Sequence, residues 1–553
     1  MRWKIENSMK INPPDNMKIN PIVYSILKKR DMTDEEIIDF LNPDISKLES
    51  PFKFKDMEKS VQKILDNVES KKKIMIFGDY DVDGTTGTAL LNKVIKRIGG
   101  DVIYYIPHRL KEGYGFSKNG VEYAKENNVS LIITVDCGIK AVNNVKLARD
   151  YGIDVIITDH HEVGEVIPDA FSIINPKFDD NYPFKYLAGV GVAFKLAQGI
   201  FYELKEHKNF LLWQLDLVAT GTIADLAPLI GENRILTKYG LIVLNKLKKP
   251  GFKMLKEISG LKREIRSEDI SFIIGPRMNA LGRIAHANDT VRLLLTDNFE
   301  EAKRIALKMD YLNRERQETE KDIVEDAIEM IKGMDLKKYW SLILWSEDWH
   351  EGVIGIAASK LVEKYSRPTI LCSVKDGFAK CSGRSIEGVH LLNALKECDE
   401  IFEEYGGHSD AAGMTLKAEK LEDFRERFNE SVKKQMNEDM LEGVISIDLE
   451  IELEDINEEL MSELKKLEPF GEDNPHPEFL LRGVKIVGYP ELSSKYVRFL
   501  INKNKSNHKV VAFDRIDIYD EIKNKPFIDL VFNVLKSRDE RIYLKLLDYK
   551  VCG

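Results

Sequence analysis

The sequence predicts an α/β protein: a parallel-sheet domain joined by a long helix to a second α/β domain, with an antiparallel barrel at the end. Three patterns predict it. From residue 73, short β-branched runs alternate with helical stretches, the signature of βαβ units. Residues 297–337 are charged and helical with few breakers. Residues 484–549 carry alternating apolar and polar strands separated by turn residues.

In order along the chain, residues 1–70 read as a mostly helical segment packed on the first sheet domain. The first sheet starts with KKIMIFG (72–78), followed by the helix GTALLNKVIKRIG (87–99) and the strand DVIYYIP (101–107). LIITVDCG (131–138) and VIITDHH (155–161) supply two more strands, and 205–300 is mostly helical, so the first domain spans 71–300. The connecting helix takes 301–338. SLILWSEDW (341–349), GVIGIAASKLVEKY (352–365) and RPTILCSV (367–374) open a second α/β domain over 339–435. Residues 436–553 hold ISIDLEIELEDI (445–456), the turn-rich junction LEPFGEDNPHPEF (467–479) and the barrel strands.

At 553 residues, 43% hydrophobic and 31% charged, the chain has the composition of a globular protein of two or three domains. No apolar run of 18 residues occurs and no signal peptide is evident, so a cytoplasmic, non-membrane protein is expected. Five cysteines without a C-x-x-C pair argue against a disulfide scaffold and a thiolate zinc site. The net charge of −10 does not exclude a nucleic-acid partner, because local fields decide phosphate binding. Residues 431–480 carry 15 acidic and 4 basic side chains, whereas 481–553 carry 15 basic and 9 acidic.

Polar residues gather where strands end, and in parallel sheets ligands bind outside the carboxyl ends of strands. GDYDVDG (78–84) places Asp79, Asp81 and Asp83 directly after a strand. Carboxylates this close need a cation or raised pKa values. An Asp-rich turn without a ligand is the ordinary alternative for such a stretch taken alone. Asp136 follows the next strand, and Asp159, His160 and His161 follow another, which brings three strand ends to one edge of the sheet. Asp225, in TGTIADLAPL, is a further oxygen ligand, or else a helix cap. Oxygen ligands suit magnesium or manganese, and the mixed Asp and His set favours manganese. Two such ions clamp the attacking and leaving oxygens of a phosphodiester, with Asp136 as the candidate bridge.

Phosphate-handling parts follow. SGRS (382–385) sets Ser382 and Gly383 before Arg384, whose guanidinium can bind a phosphate in a fork. GGHS (406–409) sets Gly406 and Gly407 in a turn that presents His408, with a buried structural histidine as the alternative. EGVIGIAASK (351–360) runs from a glycine-rich turn into a helix whose N–H groups suit an anion, but it is no Walker loop. Arg109, Arg277 and Arg283 are candidates for backbone phosphates, and Tyr114 or Phe116 for stacking on a base.

FGDYDVDG, TVDCG, ITDHH, LAGVGVAFKLAQ, GTIADLAPL, GPRMNALGR, SGRS, YGGHSDAAG and PFGEDNPHPEF, in that order, resemble the RecJ exonucleases of the DHH phosphoesterase family. The match runs from about residue 70 to the end. The resemblance implies a DHH domain, a long helix, a DHHA1 domain and an OB-fold-type domain, with the site in the cleft between the first two. It implies two divalent ions on Asp81, Asp83, Asp136, His160 and Asp225. His161 would face the scissile phosphate, Asp79 and Asp159 would support, and Arg384 and His408 would contact phosphate. The activity it implies is 5′→3′ hydrolysis of single-stranded DNA to mononucleotides in recombination and repair. Single-stranded DNA is the expected partner of a monomeric enzyme, with a single-strand-binding protein and a helicase as accessory candidates. The further C-terminal domain of the family's longer members is not expected here. Two rivals stay in view: a phosphodiesterase for short oligonucleotides or cyclic dinucleotides, and a non-catalytic single-strand-binding scaffold.

Overall fold

The computed structural model describes residues 2–5, 10–504, 506–523, 525, 527–537 and 540–552, with only the backbone of Leu110. Its first sheet is wholly parallel, in the spatial order Val102–Tyr105, Lys73–Gly78, Val129–Val135, Asp154–Thr158, Ser172–Ile174. Lys73–Gly78 is buried along nearly its whole length, as a strand covered by helices on both faces must be. The chain leaves this strand to one side and later returns to its other side, so a topological switch point lies just beyond Gly78. Gly78, Val135 and Thr158 are paired in register, and the next residues are Asp79, Asp136 and Asp159.

The helix Phe299–Lys332, capped by the Asn298 side chain, spans 34 residues, about 51 Å at 1.5 Å per residue. It leads to a mixed sheet in the order Phe402–Gly407, Ala411–Lys417, Phe378–Arg384, Thr369–Lys375, Leu342–Ser346. Cys372 and Cys381 face each other across Thr369–Lys375 and Phe378–Arg384 and are joined by a disulfide. The cysteine spacing gave no hint of this pair, because a hairpin register rather than a short motif brings them together.

Phe479–Leu492, Tyr496–Lys503, Ser506–Phe513, Ile542–Val551 and Phe527–Lys536 close into a five-stranded barrel through pairing of the last strand with the first. It is antiparallel except where Ser506–Phe513 meets Ile542–Val551 in parallel. The helix Tyr519–Ile522 and the strand Phe527–Lys536 lie between them in sequence, so the chain returns in the same direction.

The expected packing of residues 1–70 on the first domain is corrected for its first half. Phe54, Met57, Val61 and Ile64 do join the first domain's core. The helices Pro21–Lys29 and Asp34–Leu41 instead bury Val23, Ile26, Leu27 and Ile37 in the barrel's core. Arg2–Ile5 pairs with Val444–Ile447. Among the described residues, no helix is long and apolar enough to cross a membrane.

Candidate active site

The acidic residues at the sheet edge are held by the ladder itself. The N–H of Asp79 donates to the Val135 carbonyl at 3.2 Å, that of Asp136 to Thr158 at 3.0 Å, and that of Asp159 to Ile174 at 3.1 Å. Asp136 takes a left-handed backbone with φ of 62°, a region where Asp and Asn are several-fold enriched among non-glycine residues. Asp81 caps the helix Val82–Arg97, its side chain accepting from the Gly84 N–H at 3.0 Å. Asp83 lies in the first turn of that helix. Its two oxygens accept from the N–H groups of Gly189 (2.6 Å) and Val190 (2.8 Å), at the start of the helix Gly189–Glu203. A helix N-terminus favours such a negative charge. Gly189 must be a glycine, since a Cβ there would sit 2.6 Å from the Asp136 Cβ.

Asp225 arrives from the C-terminal end of the helix Leu215–Ala224. His160 Nε2 lies 3.0 Å from Asp136 Oδ1, 3.7 Å from Asp225 Oδ2 and 3.9 Å from Asp83 Oδ2. Three overlapping groups keep their donor atoms within 4.8 Å of one another: Asp83, His160 and Asp225; Asp79, Asp81 and Asp136; and Asp136, His160 and His161. The Asp79 carboxylate thus lies within 4.8 Å of donor atoms on Asp81 and Asp136.

Electrostatics point the same way. Burial, then the neighbouring Asp81, raises Asp79 far above the carboxylate range, and raises Asp83 to about 7. Burial and Asp83 do the same to Asp136 and Asp225. Burial, aided by His161, lowers His160 to about 3 and keeps its imidazole neutral, the form that ligates metals. Asp79 Oδ1, Asp136 Oδ1 and His160 Nε2 are buried with no hydrogen-bond partner. Buried polar atoms are almost always paired. Oxygen and imidazole donors left open in this density fit divalent manganese or magnesium.

Asp159 plays a different part. Its carboxylate accepts from Ile139 N–H (3.0 Å), His160 N–H (2.8 Å) and His161 Nδ1 (2.7 Å). Burial opposes its ionisation, but the bonds to His161 prevail and hold its pKa below the usual value. Burial likewise opposes charge on His161, while Asp159, Asp81 and Asp83 outweigh it and raise its pKa. The Tyr114 hydroxyl lies 3.1 Å from His161 Nε2 and 3.3 Å from the Asp136 carbonyl, with its ring largely exposed at the rim.

Arg109, Arg283 and Arg384 converge from three elements. Burial, then Arg109 and Arg384, lowers Arg283 to about 9, and burial and Arg109 lower Arg384. Cations crowd in this way where an anion is to be bound. Arg109 lies 5.0 Å over the Tyr80 ring, beside Asp79. Arg283 donates to the Gly352 carbonyl of the second domain at 3.3 Å, across the interdomain cleft. Arg384 is held by the Gly383 carbonyl (2.7 Å) and Ser382 Oγ (3.2 Å), and its strand pairs with the one leading away from His408. His408, after Gly406 and Gly407, is exposed in the turn and pairs with Asp410, so the alternative of a buried histidine fails. No described contact joins it to the metal cluster.

Two candidates lie elsewhere. Arg277 is turned to the connecting helix, donating to Asp310 at 3.0 Å and to the Ile273 carbonyl at 2.7 Å. Phe116 is core, 3% exposed and edge-on to Phe77, and cannot stack on a base. Asn279, unmarked in the sequence, caps the Val82 N–H at 3.1 Å and so supports the acidic loop.

A parallel sheet with aspartates and histidines at its switch point, faced by a second domain bearing a glycine-flanked arginine, defines a phosphoesterase of the DHH class. A model of the DHH family N-terminal domain matches residues 73–222, a DHHA1 domain model matches 336–434, and a RecJ OB domain model matches 447–538. The chain belongs to the RecJ family. It is 39% identical over 532 residues to the single-stranded-DNA-specific exonuclease RecJ of Bacillus subtilis (strain 168), covering 94% of this chain and 67% of that protein. Against RecJ of Escherichia coli (strain K12) the identity is 37% over 76% of this chain and 77% of that one. The crystal structure of RecJ from Thermus thermophilus in complex with Mn2+ superposes with a TM-score of 0.85 at 26% identity, covering 100% of this chain and 80% of that one. The same protein has been solved with Mg2+, at a TM-score of 0.80 and 25% identity, over 100% of this chain and 79% of that one.

Proposed function

We propose that the chain is a single-strand-specific DNA exonuclease that hydrolyses phosphodiester bonds from the 5′ end and releases 5′-mononucleotides in recombination and repair. The observation that carries this reading is the set of buried, unpaired donor atoms on Asp79, Asp136 and His160, next to the three converging arginines. Asp83, His160 and Asp225 would hold one divalent ion, and Asp79, Asp81 and Asp136 a second. When bound, such ions would neutralise the phosphate and lower the pKa of an attacking water. Asp159 fixes the His161 ring, which faces the scissile phosphate together with Tyr114. Arg109, Arg283 and Arg384 bind phosphate oxygens, and His408, exposed after Gly406 and Gly407, contacts phosphate from the second domain.

Single-strand choice is supported by a second feature. A groove of about 990 Å³ lies between the first domain and the barrel, lined by Arg266, Phe272, Tyr496, Arg498, Lys509 and Lys545 among others. Phe272 is 76% exposed there. Basic side chains track a backbone and aromatic rings stack on unpaired bases. From Phe272, the helix Gly275–Ile284 leads to Arg283, about 15 Å for ten residues. We further take the enzyme to be monomeric and cytoplasmic, with a single-strand-binding protein and a helicase as accessory partners.

The test is a long single strand labelled at either end, incubated with manganese, magnesium or chelator. Immediate release of 5′-labelled mononucleotide, with the 3′ label kept in shortening strands and no cleavage under chelator, is the expected result. Survival of the long strand while dinucleotides or cyclic dinucleotides are cut would overturn it.

A further inference from the structure

The junction PFGEDNPHPEF touches the first domain, the N-terminal helices and the barrel, yet has no role in the chemistry above. The last carbonyls of the helix Glu458–Lys465 and its exit, at Lys466, Leu467 and Glu468, accept from the buried Arg234 guanidinium at 2.9, 2.9 and 3.2 Å. A cation suits the C-terminal end of a helix. Asn474 is wholly buried and donates to the carbonyls of Leu467 and Pro469, while Arg30 donates to the Pro475 carbonyl from the N-terminal helices. His476 stacks on Phe470 and bonds Glu268 at 2.7 Å. On the far side, Asn533 of the barrel donates to the Pro477 carbonyl at 2.9 Å.

One contact leads to the ions. The Leu229 N–H donates to the Glu472 carbonyl at 2.9 Å, and Gly471 lies so close that a Cβ would meet Leu229 Cδ1 at 2.7 Å. Leu229 is four residues beyond Asp225, and Arg234 five beyond Leu229. The stretch that carries Asp225 is thus held twice, by Glu472 of the junction at Leu229 and by the helix exit just before the junction at Arg234. The other aspartates of the cluster that sit at strand ends, Asp79 and Asp136, are fixed by the sheet ladder, and Asp83 by Gly189 and Val190. Asp225 sits at a helix end, its side chain 25% exposed against 0% for Asp83 and 2% for Asp136. Its own N–H donates back into its helix, to the Gly221 carbonyl at 2.9 Å, and the loop that follows it is the part the junction holds.

We propose that the junction 468–476 is a positioning element for the ion site: by packing Gly471 and Glu472 against Leu229, it seats Asp225 and ties the barrel to the ion held by Asp83, His160 and Asp225. This rests on the reading of Asp225 as a ligand. Gly471 and Glu472 touch neither ion nor substrate, and act through Leu229. Adding a Cβ at 471 pushes Leu229, and with it the loop from Asp225, out of register with the sheet.

The test measures Mn2+ binding to the full chain by calorimetry and by the electron paramagnetic resonance signal of free Mn2+, with no DNA present. Gly471→Ala is expected to weaken one of the two ions by about tenfold, equal to about 1.4 kcal/mol and within the usual cost of overpacking, and to leave the other unchanged. Gly471→Ala with Leu229→Val, which removes the clashing methyl, is expected to recover most of that affinity. Asp225→Ala serves as the reference. If Asp225→Ala leaves both ions bound as before, the ligand assignment fails and the proposal falls with it. If Asp225→Ala loses an ion but Gly471→Ala titrates like the native chain, the positioning role alone is refuted. Weakening of both ions in step with a lower unfolding temperature in chelator refutes it too, since plain destabilisation then explains the loss.

Discussion

Replacing Asp136 by asparagine should stabilise the metal-free protein while abolishing its activity. The native Asp136 carries a buried, partnerless Oδ1 that lies 3.0 Å from His160 Nε2, itself partnerless. An asparagine amide keeps the shape, suits the left-handed backbone at φ 62°, and can donate to that imidazole nitrogen. The native carboxyl, protonated in the metal-free chain, offers the same nitrogen a donor, so this contact alone changes stability little. The gain depends on pH. Burial and Asp83 raise the Asp136 pKa well above its ordinary 3.8. A carboxyl raised on folding favours the folded state only below its unfolded pKa. As pH climbs from there toward the folded value, the native chain must hold a proton that the unfolded chain has released. That costs about 1.4 kcal/mol per pH unit, a cost the asparagine does not bear. Moving from pH 5 to pH 7 should therefore widen the stability gap between variant and native chain by up to about 3 kcal/mol. The assay is thermal unfolding in chelator at both pH values, where 1 kcal/mol shifts the midpoint of a domain this size by about 2–4 °C. Added Mn2+ should then raise the native midpoint and leave the variant nearly unmoved. A variant that melts below the native chain in chelator, or a gap that narrows with pH, would refute the reasoning.

Three further outcomes follow from the same geometry. Mn2+ binding near pH 6 should release protons, because Asp79, Asp83 at about 7, Asp136 and Asp225 are all raised and must ionise to ligate; affinity should climb up to about pH 7, and calorimetry in buffers of different ionisation enthalpy counts the protons. Phe272→Ala should raise KM for long single strands by roughly 5- to 100-fold, the loss of one stacked base, while hydrolysis of a trinucleotide too short to reach the groove keeps its rate. Arg384→Lys keeps the charge but loses the fork, so kcat/KM should fall by about tenfold or more, with unfolding temperature unchanged; steady-state kinetics with manganese present checks it.

What could be read from the sequence depended on how local the cause was. Asp79, Asp136, Asp159 and the two histidines were legible because strand ends of one parallel sheet share an edge, a rule that needs only short-range pattern. The connecting helix was legible for the same reason, as 34 residues without a strong breaker leave little else to form. The partners that finish the site are distant in sequence. Asp83 is held by N–H groups more than a hundred residues on, and Val82 by Asn279, neither of which leaves a trace in local composition. Phe116 carries a local signal for the core: Ser117 caps the next helix, and Phe116 and Val121 then stand at the positions of a hydrophobic staple, both buried in one cluster. The amphipathic helices at 21–41 announced that they would pack, but amphipathicity does not name the face they pack on. Arginines were the hardest case, since Arg277 and Arg283 share one helix yet one serves an ion pair with Asp310 and the other joins the cleft.

The cluster divides its carboxylates by which oxygen the fold satisfies. Asp159 is bonded to Ile139, His160 and His161, and Asp83 to Gly189 and Val190, so their backs are tied to the backbone. Asp79 and Asp136 are fixed through their own N–H groups instead, and one oxygen of each is left bare in the interior. A fold selected for stability alone would close those atoms with donors, as nearly all buried polar groups are closed. Leaving them open costs stability in the absence of a cation and returns it as binding free energy when one arrives, because only the folded chain offers the set. Any substitution that supplies a donor to Asp79 Oδ1 or Asp136 Oδ1 should therefore move stability and activity in opposite directions, whereas substitutions behind Asp83 or Asp159 should lower both together.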